Sequence, residues 1–135
     1  MTIVPVKELV ERANREIETL SAVQALGAQS GGGAMLVDIR DIRELGREGR
    51  VAGAVHAPRG MLEFWFDPSS PYHREVFADA QRKYVLFCAA GWRSALATKA
   101  LKDMGFENIA HVDGGFGALK LAGATIEDAA SHGGS

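Results

Sequence analysis

Apolar residues recur at helical spacing from Val6 through Leu9, Val10, Ala13 and Ile17 to Leu20, with Lys7, Glu8, Glu11, Arg12 and Arg15 between them. That period predicts an amphipathic helix, and Pro5 suits its first turn. Residues 1–19 are read as an N-terminal helical segment whose apolar stripe docks on the core or on a second copy. Monomer and homodimer both stay open. Ser21 with Gln24 matches a capping box opening a second short helix, and SGGG at 30–33 is a flexible connector. AMLVDIR (34–40) is a short apolar run closing on charge, the pattern of a buried parallel strand. DIRELGREGR reads as a helical turn and loop, and VAGAVHAP as a second strand ended by Pro58. Met61, Leu62, Trp65 and Phe66 carry helical spacing, and the turn-rich DPSSPYH follows them. KYVLF (83–87) is the clearest strand. Ser94–Met104 is helical by period and Gly105 stops it. NIAHV is a fourth strand, DGGFG a turn and FGALKLAG a last short helix. Strands alternating with helices predict an α/β fold: a doubly wound parallel sheet flanked by helices on both faces, with the extra N-terminal helix. The main domain is expected over 20–126 and a flexible tail over 127–135.

Composition narrows the classes. With 135 residues there is enough chain to bury one sizeable core. Net charge is −2 with both signs interspersed, so neither a basic stripe for nucleic acid nor a polybasic tract for a membrane surface is present. No apolar run reaches the roughly 20 residues of a spanning helix. Charge enters early, in MTIVPVKELVERANREIE, so no signal peptide is expected and the cytoplasm is the expected compartment. One cysteine rules out an internal disulfide framework and an all-cysteine metal site. His56 and His111 sit in strands as satisfied core or edge residues, and with His132 in the tail nothing clusters as metal ligands. No cofactor is implied.

A lone cysteine is either apolar filler or a reactive thiol, and its neighbours decide. Cys88 ends the strongest strand, the edge at which open α/β sheets place their ligand crevices. Ala89, Ala90, Gly91 and Trp92 then lead through Arg93 into a helix beginning at Ser94. Small residues and a glycine let successive amides turn inward as an anion-holding nest, the helix dipole adds to it, and Arg93 brings a permanent cation. Each of these favours thiolate over thiol, and the thiolate is the nucleophile. Cys88 is thus the candidate catalytic residue, and Ala89 to Ser94 the candidate substrate-binding loop.

These segments resemble a single-domain rhodanese, a thiosulfate sulfurtransferase-like family, over Leu20 to Gly123. LVDIRDIRE resembles the family's Asp-x-Arg motif, GRVAGAVHAPRG its second motif, CAAGWRSALA its active loop, and MGFENIAHVDGGFGALKLAG its closing segment. Arg50 and Val51 stand where His-Ile is common, and Leu119 where tryptophan is usual. The resemblance implies a sulfurtransferase: Cys88 takes the outer sulfur of a small anionic donor as a persulfide, and a thiol or cyanide acceptor removes it. It also implies that Asp38 braces the active loop and that Arg40 pairs with an acid such as Glu44. Arg59, beyond the second strand, adds positive charge at the pocket mouth or is simply solvated.

Two other readings are carried. In one, the chain is a persulfide carrier or regulatory module loaded by a protein partner, with little turnover on small donors. In the other it is a phosphatase of related fold. Tyrosine phosphatases, however, hold phosphate in a loop one residue longer than the four-residue spacer between Cys88 and Arg93, and Phe87 stands where they carry histidine. Asp67 and His73 are the available acid candidates, though DPSSPYH reads as turn and surface. Of Phe64, Trp65 and Phe66, two are expected in the core. Trp92 is expected to face outward as a contact residue.

Overall fold

The computed structural model describes residues 2–128. Strands β1 (Glu18–Leu20), β2 (Ala34–Asp38), β4 (Val55–His56), β5 (Lys83–Phe87) and β6 (Ile109–Val112) form one parallel sheet in the order β1-β6-β5-β2-β4. A separate antiparallel pair joins β3 (Arg50–Val51) to β7 (Ile126–Glu127). The central strands are nearly continuous apolar runs because helices cover both faces. Side-chain alternation then sorts the core into two layers. Tyr84 and Leu86 of β5, and Cys88 just beyond it, face one layer with Val37, Ile39, Leu62, Phe66 and Leu101. Val85 and Phe87 face the other with Ala25, Val112, Phe116 and Leu119.

Helices α4 (Leu62–Phe66) and α5 (Trp92–Asp103) cover the Cys88 layer, and α2 (Ala22–Ser30) and α6 (Gly115–Leu121) cover the opposite one. The short α3 (Ile42–Glu48) follows β2. The N-terminal helix α1 (Val6–Glu16) lies on α5 through Val10, Ala13 and Ala95, with Ile17 and Leu96 beside them. Capping boxes start α2, from Ser21 and Gln24, and α3, from Asp41 and Glu44.

Four expectations from the sequence need correction. The N-terminal helix stops at Glu16, and Glu18–Leu20 is an edge strand whose Leu20 lies opposite Val112. Ile17 takes an extended backbone, and pairing with β6 satisfies carbonyls, such as Leu20's, that a last helical turn would leave to water. VAGAVHAP is split between two sheets, because Gly53 at φ +80° turns the chain between β3 and β4. Helix α5 starts at Trp92 rather than Ser94, so Trp92 and Arg93 stand in its first turn. Ile126–Glu127 is strand, so residue 127, expected in the tail, pairs with β3; residues 129–135, His132 included, lie outside the described residues. The 3-10 turn at Glu75–Phe77 has no counterpart in the periodicity.

Candidate active site

Asp38, His56, Cys88 and Asp113 stand at or just beyond the carboxyl ends of their parallel strands, along one edge of the sheet. The chain leaves β5 at Cys88 and turns through Ala89 and Ala90 to Gly91. There φ is +116°, a conformation glycine adopts without the penalty a Cβ brings. The turn aims backbone donors at sulfur: Gly91 N–H lies 3.1 Å from Cys88 Sγ and Ser94 N–H 3.3 Å. The second of these comes from the first turn of α5, where amides have no intrahelical partner. The thiol itself is buried, at 1% exposure.

The loop is held from behind by α6. Phe116 N–H donates to the Cys88 carbonyl at 2.8 Å and Gly117 N–H to the Ala89 carbonyl at 3.4 Å. Gly115 permits this approach: its φ is +59°, and a Cβ there would lie 2.4 Å from the Cys88 carbonyl oxygen and 2.7 Å from that of Ala89. Gly115→Ala is therefore expected to push the loop off α6 and lower stability by about 1–3 kcal/mol. Gly117→Ala, whose Cβ would meet only Ala89 O at 4.0 Å, is expected to be neutral within about 0.5 kcal/mol. Urea denaturation of the pair is the check, and equal effects would refute the close-approach argument.

Asp38 and Arg40 are both buried and paired with each other. Arg40 donates from Nε to Asp38 Oδ1 at 3.0 Å, from Nη2 to Oδ2 at 2.8 Å, and from Nη2 to the Gly49 carbonyl at 2.9 Å. Its guanidinium carbon stands 4.0 Å from the centre of the Phe116 ring. Two expectations change here. Arg40 does not pair with Glu44; its acids are Asp38 and, at 3.6 Å, Glu48. Asp38 is bonded to Arg40 rather than to the loop; Arg40 lies against the Phe116 ring, and Phe116 N–H is bonded to the Cys88 carbonyl. The two-residue spacing folds the arginine back onto the strand-end aspartate.

Glu44 instead clamps Arg93, with Oε2 2.9 Å from Nη1 and Oε1 3.0 Å from Nη2. The guanidinium holds the Glu44 carboxyl below its ordinary 4.5, and Glu44, with a smaller contribution from the Cys88 sulfur, raises Arg93 above its own usual value. A carboxyl with a depressed folded-state pKa stabilises the fold above its unfolded pKa and loses that contribution as pH falls through the folded value. Glu44→Gln is thus expected to cost up to about 1 kcal/mol at neutral pH. The cost should shrink as pH falls below 4.5 and vanish below the lowered folded value, where wild type has lost the same interaction. Urea midpoints across pH read this out, and a pH-independent difference would contradict it.

The remaining candidates separate. Arg59 pairs with Glu63 at 2.7 Å. Phe66 is in the core and Trp65 packs against it, beneath the Arg74 guanidinium at 3.6 Å, whereas Phe64 is exposed. Trp92 is 52% exposed. Asp67 accepts from Ser69 N–H, and His73 Nδ1 lies 3.0 Å from the Trp65 carbonyl. His73 also lines a cleft of about 160 Å3 with Phe77, Phe106 and Asn108, and a second of about 300 Å3 lies between Gln29, Val51 and Thr125. Neither is lined by Cys88. Among the described residues no three His, Cys, Asp or Glu side chains converge as metal ligands, and no helix is long and apolar enough to cross a membrane.

The sequence reading set His111 aside, and the structure brings it to the loop. Its Nδ1 lies 2.9 Å from Ser94 Oγ, which lies 3.5 Å from Cys88 Sγ. The available signal was parity: on a strand beside β5, His111 pairs with Leu86 and so faces the Cys88 layer. That β6 neighbours β5 is a tertiary fact.

Fold and loop together define an α/β domain built around one buried thiol. The chain belongs to the rhodanese-like domain family, whose model matches residues 21–122. It is similar to a Rhodopseudomonas palustris protein described as of unknown function and a possible tyrosine phosphatase. The two are 45% identical with a TM-score of 0.86, over 94% of this chain and 98% of that one. It shares its fold with a thiosulfate sulfurtransferase from Pseudomonas aeruginosa (24% identity, TM-score 0.76), covering 93% of this chain and 23% of that one. A rhodanese-related protein from Thermoplasma volcanium is also 24% identical, with a TM-score of 0.64 over 82% of this chain and 97% of that one.

Proposed function

We propose that this chain is a sulfurtransferase that carries sulfane sulfur from a thiosulfate-like donor to a thiophilic acceptor through a persulfide on Cys88. The observation that carries the reading is the aim of the loop amides: Gly91 and Ser94 N–H both point at the cysteine sulfur, within 3.3 Å. Donors so placed stabilise a thiolate, and a loop of this kind suits the anionic terminal sulfur of a persulfide. In the first step the thiolate attacks the outer sulfur of thiosulfate, the donor's S–S bond breaks, and sulfite leaves with the electron pair. In the second the acceptor thiolate or cyanide attacks the terminal sulfur, and the Cys88 thiolate leaves. Membership of the rhodanese-like family agrees with this chemistry. Burial of the thiol favours a reagent that enters by a single narrow atom. Ala89, Ala90 and Trp92 complete the loop, and Arg93, exchanging Glu44 for the incoming anion, binds the donor.

The test is intact-mass measurement of reductant-free protein after thiosulfate treatment. Addition of one sulfur atom, removed by cyanide, is expected; no addition to a thiol that still alkylates would overturn thiosulfate as donor and favour a protein-loaded carrier. A phosphatase reading has one observation behind it, the likeness to the Rhodopseudomonas palustris protein. Its test is hydrolysis of an aryl phosphate. The local bonds of Asp67 and His73, and the four-residue spacer before Arg93, argue against it.

A further inference from the structure

The hydrogen bonds around Cys88 continue inward past the loop. Ser94 Oγ stands 3.5 Å from Cys88 Sγ, 3.3 Å from the Gly91 carbonyl and 2.9 Å from His111 Nδ1. On the far side of the ring, His111 Nε2 lies 2.9 Å from Asn14 Oδ1 on α1. Cys88, Ser94 and His111 are all buried, and Asn14 at the outer end of the line is exposed. Burial holds the imidazole below its ordinary 6.5 against the opposing charge of Asp113, which favours the neutral ring before the thiol gives up its proton.

The polarity of the line follows from its far end. An amide oxygen only accepts, so Nε2 carries the ring proton and Nδ1 is bare. The bare nitrogen takes the Ser94 hydroxyl proton, leaving the Ser94 oxygen free to accept from the Cys88 thiol. The line runs from S–H through O–H to an empty nitrogen base.

We propose that His111 is the base that deprotonates Cys88, acting through Ser94 and oriented by Asn14 from the N-terminal helix. The Cys88 S–H bond breaks and its proton passes to Ser94 Oγ. The Ser94 proton passes to His111 Nδ1, and sulfur keeps the electron pair. An imidazolium remains, held by Asn14 through its Nε2–H, and the proton returns along the same path when the thiol re-forms. This rests on Cys88 as the nucleophile and gives α1, outside the matched family segment, a part in the site. The charged groups around the line are Asp113 at the end of β6, Arg93 paired with Glu44, Arg15 next to Asn14 on α1, and Lys99 against Glu16 at the α1–α5 seam. On β1 the neighbour of His111 is the uncharged Thr19.

The test is the rate of iodoacetamide alkylation of the full chain at about pH 7 and at about pH 10, above the ordinary range of free thiols. His111→Gln is expected to slow the neutral reaction about tenfold and leave the alkaline one within about twofold, the signature of lost proton transfer rather than lost access. Asn14→Leu, at an exposed position that does not threaten folding, should change the ratio in the same direction. Asn14→Asp, which only accepts, should raise the neutral rate. Equal slowing at both pH values, no slowing, or a fall in Asn14→Asp matching Asn14→Leu would overturn the relay. So would a nitrogen NMR signal from wild-type His111 placing the proton on Nδ1. Because alkylation needs no sulfur donor, failure to load sulfur from thiosulfate would overturn thiosulfate as the donor and leave this proposal standing.

Discussion

Cys88→Ser is expected to take up no sulfur from thiosulfate and to lose cyanide-dependent turnover by a factor on the order of a thousand or more, the scale of nucleophile removal. Serine is nearly isosteric, and its oxygen can still accept from the Gly91 and Ser94 amides, so the fold should persist. The reaction should not. A serine hydroxyl ionises far above the range of a thiol, and the S–S bond that stores the transferred sulfur has no oxygen counterpart here. Intact mass with and without thiosulfate, beside a circular dichroism spectrum of each protein, separates chemistry from folding. Sulfur addition to the folded serine variant would place the acceptor elsewhere and end the case for Cys88.

Asp38→Ala should produce the largest loss of stability. Both members of the Asp38–Arg40 pair are buried, so truncating the carboxylate strands a guanidinium that keeps only the Gly49 carbonyl and the half-exposed Glu48. Breaking such a pair costs about 3–5 kcal/mol, most of it the penalty of the orphaned charge. For a domain of this size that is a fall in Tm of roughly 10–20 °C. Asp38→Ala with Arg40→Met should recover much of the loss, because no charge is then left buried. A single-variant loss under about 1 kcal/mol would show that the guanidinium finds water on its own. Since Arg40 lies against Phe116, and Phe116 N–H holds the Cys88 carbonyl, the single variant should also loosen the loop and quicken proteolysis there.

The chain alone determined the α/β class, the three central strands and the loop that carries Cys88. Those features are local: an apolar run of β-formers, a glycine where φ must be positive, and a helix period following directly. Burial on both faces makes such strands legible, because no polar residue interrupts them. Of the short strands, β3 and β4 were read only as one strand, VAGAVHAP, and β1 and β7 were not read at all. Two or three residues of β1, β3, β4 and β7 carry no period, and each is a strand only because a partner lies beside it.

The same division runs through the site. Cys88, Gly91 and Ser94 are close in sequence, so their meeting at sulfur could be read from spacing. Which acid faces which arginine could not, because Glu44 and Glu48 lie one helical turn apart and only the docking of α3 sends the first to Arg93 and the second toward Arg40. His111 and Asn14 are separated by 97 positions. Only the placement of β6 beside β5, and of α1 upon α5, lines them up behind the thiol, since a hydrogen bond depends on a few tenths of an ångström that long-range packing alone sets.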